Sequence, residues 1–138
     1  MDSDIISIRC NKKYMNTVIY KISCKDETIK DIYIGQTTNF DVRKFYHIRD
    51  SKISCIKLYK FIRDNGGWDN WDMIILGEYL CENFQHSSKL EWLWWKKLKA
   101  TLNSIEPGLK YIRKDKRKYL DFTTYINEME ALSRLTIQ

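Results

Sequence analysis

Proline and glycine are scarce, at one and five residues in 138, which excludes a collagen-like, linker-like or low-complexity chain. No apolar run approaches the ~20 residues that a membrane-spanning helix needs, so the expectation is a protein with no membrane partner. The four cysteines (Cys10, Cys24, Cys55, Cys81) are widely spaced, with no CxxC pair. Free thiols fit this pattern better than a disulfide framework. Histidine occurs twice, and a zinc site from His47, Cys55, Cys81 and His86 would lack any paired ligand spacing. The N-terminus, Met1-Asp2-Ser3-Asp4, is acidic where a signal peptide is basic. The expectation is therefore an intracellular protein of cytoplasm or nucleus, not a secreted one.

What is abundant is charge and apolar surface together: 30% charged and 43% hydrophobic residues, the balance of one folded domain. The net charge of +6 is unevenly spread. Residues 41 to 63 carry seven Lys/Arg against two acids, residues 64 to 82 carry five acids and no base, and residues 110 to 118 carry six bases against one acid. Two basic poles point to a polyanionic partner, most often nucleic acid. A solvated charged face, or one that meets an acidic protein, is the plain alternative.

Along the chain, residues 1 to 16 form an N-terminal extension with a possible short strand at Ile5 to Cys10. Thr17 to Ser23 is β-branched and aromatic, the pattern of a strand. Lys25 to Thr28 reads as a turn, and Asp31 to Gly35 as the second strand of an antiparallel hairpin ended by Gly35. Asn39 suits an N-cap for a helix near residues 40 to 49. Val42, Phe45 and Tyr46 fall on one side of that helix; Arg43 and His47, four apart, share another. A second helix is predicted from Ser54 to Asp64, with Cys55, Leu58, Phe61 and Ile62 as its buried stripe, stopped by Asn65-Gly66-Gly67. Trp71 to Leu76 reads as a third strand closed by Gly77, and Ser88 to Ala100 as a helix with Leu90, Leu93, Trp94 and Leu98 on its apolar side. After Pro107-Gly108 come the basic stretch and a C-terminal helix from Tyr119 to Leu135. This order predicts an α/β (α+β) domain with a small, largely antiparallel sheet.

Few of these residues carry chemistry, and each has a plain structural use beside a functional one. Tyr20 and Tyr33 lie on paired strands, where tyrosine is common. Arg43 offers a fixed fork of donors for phosphate, and His47 a group that takes a proton near neutral pH. Ser88-Lys89-Leu90-Glu91 fits a capping box, in which Glu91 folds back onto the helix start. The competing reading sets Glu91 at the edge of an apolar face, where a carboxylate is costly unless a cation such as a divalent metal pairs with it. Trp92, Trp94 and Trp95 suit core packing better than base stacking.

Taken in order, five short segments resemble the GIY-YIG nuclease superfamily: Val18-Ile19-Tyr20, Tyr33-Ile34-Gly35, the Asn39 to His47 segment with its Arg43 and His47, Leu90 to Trp95 with Glu91, and Thr101-Leu102-Asn103. The resemblance covers roughly residues 17 to 107, read as a catalytic domain, with residues 108 to 138 as an appended basic stretch and helical tail. Its flavour is that of homing or virus-encoded endonucleases. The glycine of the first motif is Val18 here, and Ile53 stands where some homing members have a second histidine. The resemblance implies a three-stranded antiparallel sheet flanked by helices. It implies metal-dependent hydrolysis of DNA to 5′-phosphate and 3′-hydroxyl ends, one strand per active site, with a dimer as one route to double-strand cutting. By the same resemblance Glu91 holds one Mg²⁺ or Mn²⁺, and Arg43 neutralises the phosphate. Tyr20 helps to deprotonate the attacking water, with His47 the other candidate general base, and His47 and Tyr33 position phosphate and water. Gly35 and Asn103 support the site. Lys44, Lys52, Lys57, Lys114, Lys116, Arg117 and Lys118 are the expected DNA-backbone contacts. The alternative function is a catalytically weak binding module on the same fold.

Overall fold

The structure is a computed structural model that describes residues 12–112. The expected strand at Ile5 to Cys10 and the helix from Tyr119 onward lie outside those residues. A 3-10 turn at Lys12–Asn16 leads into β1 (Thr17–Cys24), which is followed by β2 (Ile32–Thr37) and, later, β3 (Trp71–Tyr79). The sheet order is β2-β1-β3, and both outer strands run antiparallel to β1. Helices α1 (Phe40–Ile53) and α2 (Lys57–Asp64) connect β2 to β3; α3 (Phe84–Leu98) and the short α4 (Leu109–Ile112) follow. This is the α+β arrangement the sequence predicts.

As the middle strand, β1 is the most enclosed, and its Thr17 to Tyr20 and Ile22 are buried. Alternation along a strand sends neighbours to opposite faces. Ile19 joins Ile34, Tyr79, Leu90, Trp92 and Leu93 on the α3 side. Tyr20 and Ile22 join Leu58, Ile62, Trp71 and Met73 on the α2 side. Trp94 and Trp95 pack against the first cluster, so the tryptophans of α3 serve the core.

Three expectations need correction. First, β2 and β3 do not end at Gly35 and Gly77 but run on to Thr37 and Tyr79. Both glycines make room for a ring: a Cβ on Gly35 would overlap the Tyr20 phenol, and one on Gly77 would stand 2.5 Å from Tyr79 Oη. Second, Ser54 does not open a helix. Its N–H closes α1 on Asp50 O at 2.8 Å, and α2 begins at Lys57. Cys55 is exposed, and Tyr59 takes the buried place expected of it. The sequence left open which side of α1 packs inward, and it is the polar one: His47 is buried while Val42, Phe45 and Tyr46 are exposed.

Third, α3 starts four residues before Ser88. Asn83 is its N-cap, with Oδ1 accepting the His86 N–H at 2.9 Å. Ser88 is buried inside the helix and bonds Gln36 Nε2 at 3.1 Å, so Ser88 is not a cap and Glu91 is not half of a capping box. Asn83→Ala is accordingly expected to lower stability by about 1 kcal/mol, measured by thermal or denaturant unfolding.

The chain beyond α3 seals the free edge of β2. Thr101 and Leu102 both donate their N–H to Ile32 O, at 3.2 and 3.0 Å. The Asn103 side chain then pairs with Ile34 as a strand backbone would, accepting its N–H at 3.1 Å and donating to its C=O at 2.8 Å. A covered edge offers no template for another strand, and Asn103 fixes the part of β2 that carries Tyr33 and Gly35.

Candidate active site

β1 and β2 pair with Tyr20 opposite Gly35, and alternation places Tyr20 and Tyr33 on the face crossed by α1. Their ring centroids are 6.2 Å apart. The register of β1 against β3 slips between Ile19 and Tyr20, a bulge beside the first of these rings. From α1, one turn apart, Arg43 and His47 reach down to the same place. Tyr20 Oη lies 2.8 Å from His47 Nε2, and Arg43 Nε donates to Tyr20 Oη at 3.4 Å. Tyr33 also stands edge-on to His47, with ring centroids 5.7 Å apart. On its other side His47 places Nδ1 2.8 Å from Tyr59 Oη, and its ring stacks on Trp68 at 6.3 Å with an 11° tilt between planes.

Above this cluster opens a cleft of about 600 Å³ lined by Tyr33, Arg43, Tyr59, Ser88, Glu91 and Asn103, among others. Tyr20 and His47 do not line it. Both are 0% exposed and lie beneath the tyrosines that do.

Burial governs the charges. It pushes the Tyr20 and Tyr33 hydroxyls well above the usual tyrosine range, and Tyr59 up to about 12. Burial and then the Arg43 charge push His47 down to about 3. At neutral pH the three phenols and the imidazole are all neutral, beside a guanidinium that is always charged. Glu91 is pushed up to about 8 by burial, although a hydrogen bond from the Gln36 backbone and the Arg43 charge both favour its anion.

That carboxylate is short of a cation, and its surroundings fit a divalent one. No group of three His, Cys, Asp or Glu side chains gathers for a metal among the described residues, so an all-protein cage is not what the cleft offers. A single carboxylate suits an ion of the Mg²⁺ type, which keeps most of its water and binds substrate phosphate. Glu91 is the residue that would hold it. The other cleft carboxylate, Glu106, already accepts Trp92 Nε1–H at 2.7 Å.

The fold thus brings together Tyr20, Tyr33, Arg43, His47, Glu91, Gly35 and Asn103. The lysines are more scattered. Lys57 stands beside the cleft with Nζ bonded to Thr101 O at 2.6 Å, while Lys52 is exposed on the last turn of α1. Lys44 lines a separate groove with Asp69 and Asp72, away from Glu91. Lys114, Lys116, Arg117 and Lys118 lie outside the described residues. The sequence reading missed Tyr59, Trp68 and Ser88 at the site. For Tyr59 a signal existed, since it stands three before Ile62 and next to Leu58 on the buried side of α2.

A small antiparallel sheet with two facing strand tyrosines, an arginine one helical turn from a histidine, and a buried glutamate on a later helix is the arrangement that the resemblance to the GIY-YIG nucleases implies. The family model of the GIY-YIG catalytic domain matches residues 16–104, and the chain belongs to that family. None of the curated proteins or solved structures compared with the chain matches it. Family membership gives a nuclease-type function and a nucleic-acid substrate, in a family generally dependent on divalent metal.

Proposed function

We propose that the chain is a metal-dependent DNA endonuclease that hydrolyses phosphodiester bonds to 5′-phosphate and 3′-hydroxyl ends, one strand per active site. The observation that carries this reading is the cleft itself, where a guanidinium and a cation-deficient carboxylate face one space. Mg²⁺ or Mn²⁺ held by Glu91 would supply Lewis-acid stabilisation of charge on the phosphate and the leaving oxygen. Arg43 has its Nε committed to Tyr20, which fixes the fork and leaves its terminal N–H groups for the phosphate. Tyr33, at the cleft wall, is placed to orient the attacking water. Its ring stands beside Tyr20, and Tyr20 Oη is 2.8 Å from His47 Nε2, a route by which the water's proton would pass inward. Double-strand cutting would need two sites in a dimer or two successive nicks.

The Glu91 assignment makes a pH test with a fixed sign. Without metal, Glu91 in the folded protein keeps its proton up to about pH 8, while in the unfolded chain it loses it near 4.5. The folded state then binds more protons in between, so its contribution to stability is present below about pH 4.5 and is lost as pH rises to 8. A divalent cation binds the ionised form and reverses that loss. Mg²⁺ is therefore expected to raise the melting temperature clearly more at pH 9 than at pH 6, and cutting of duplex DNA in Mg²⁺ should rise with pH toward 8. An equal melting shift at both pH values would remove Glu91 as the ligand.

A further inference from the structure

His47 is a fully buried imidazole with both nitrogens engaged, each 2.8 Å from a tyrosine hydroxyl. The donors assign its tautomer. Arg43 can only donate, so it occupies a lone pair of Tyr20 Oη. The nearest acceptor for the proton of Tyr20 is His47 Nε2. A neutral imidazole then carries its own proton on Nδ1 and gives it to Tyr59 Oη. Tyr59 alone of these three lines the cleft.

We propose that Tyr59 is a positioning residue of the active site: its hydroxyl holds His47 in the Nδ1–H tautomer, so that Nε2 stands open to the proton of Tyr20, and it returns that proton to the cleft. This rests on the nuclease reading above. The protons balance. The attacking water's O–H breaks as its oxygen bonds phosphorus, and the bond from phosphorus to the leaving 3′ oxygen breaks. The water's proton passes at the Tyr33 wall of the cleft to Tyr20 as the proton of Tyr20 goes to Nε2, that of Nδ1 to Tyr59, and that of Tyr59 to a water in the cleft, which protonates the leaving oxygen. Every protein group ends neutral, as it began. Burial that disfavours phenolate and imidazolium alike suits such a neutral relay, and without Tyr59 the proton would have to rest on an imidazole flanked by Arg43. The Trp68 ring stacked on His47 keeps the imidazole plane in line with both hydroxyls.

Nitrogen-15 NMR of histidine-labelled full-length protein, with His47 assigned against His86, reads the tautomer directly and without DNA. The wild type should show a protonated Nδ1 and a bare Nε2 on His47. Tyr59→Phe removes only the hydroxyl, and should move the His47 signals toward Nε2–H or a mixture. At saturating duplex DNA, kcat should fall about ten- to a hundredfold, the usual loss when the outer partner of a working histidine is removed, with KM unchanged. A wild-type His47 protonated on Nε2 overturns the proposal whether or not the variant folds. A Tyr59→Phe protein that keeps the wild-type tautomer, or the wild-type kcat, overturns it as well. Wild-type protein that cuts no DNA in Mg²⁺ or Mn²⁺ would instead count against the nuclease reading, with the tautomer still read separately.

Discussion

Glu91→Gln is expected to stop DNA cutting while leaving DNA binding nearly intact. The amide keeps the size and shape of the carboxyl but cannot be an anion, so the cleft loses the one group that would hold a divalent cation. A metal acting as Lewis acid supplies several kcal/mol of transition-state stabilisation, and the rate should fall at least ~10³-fold. The competing use of this residue as a helix cap is gone, because α3 is capped by Asn83 and Ser88 is buried within it. Stability therefore separates the two accounts. Glu91→Gln should melt no lower than the wild type in metal-free buffer, and higher above pH 8, where the wild type must ionise a buried carboxyl. Mg²⁺ should not raise the variant's melting temperature. Single-turnover cutting, gel-shift binding and melting curves on the same preparation read all of this.

Tyr20→Phe carries the second largest effect. The hydroxyl links Arg43 and His47, and it is the hydrogen-bond partner of His47 Nε2. Its loss should lower the rate by roughly 10²–10⁴, the span of general acid–base help, at saturating DNA. It should also cost about 1–3 kcal/mol of stability, because Nε2 is left buried without a partner. A variant that cuts at the wild-type rate would show that the water's proton does not pass through Tyr20.

Most of the site was legible because it is local. Two strand tyrosines on one hairpin, and an Arg–His pair four apart on one helix, need only the periods of strand and helix to be set side by side. The rest depended on packing. The start of α3 was hidden because Asn83 and Ser88 are both good cap residues, and nothing apolar in residues 85 to 88 distinguishes helix from loop. Ser87 and Ser88 are buried for their small size. The orientation of α1 was hidden because its inward face carries Arg43 and His47, while Phe45, on its apolar side, is 64% exposed. Hydrophobic pattern points outward here, and only the hydroxyls waiting on the sheet account for the inversion. Gly35 and Gly77 read as strand ends because glycine so often is one; a ring lying across each cannot be seen in a linear pattern. Asn103 could be matched to a family segment, but its pairing with the backbone of β2 emerges only once the chain returns there after 69 residues.

The central claim is that Glu91, with a divalent ion, makes this cleft a nuclease. It is tested most directly by incubating supercoiled plasmid with wild-type and Glu91→Gln protein in Mg²⁺, in Mn²⁺ and in excess EDTA. The account predicts conversion of supercoiled to open-circular DNA by the wild type in either metal, and none by the variant or in EDTA. Equal nicking in EDTA, or equal nicking by the variant, would contradict it.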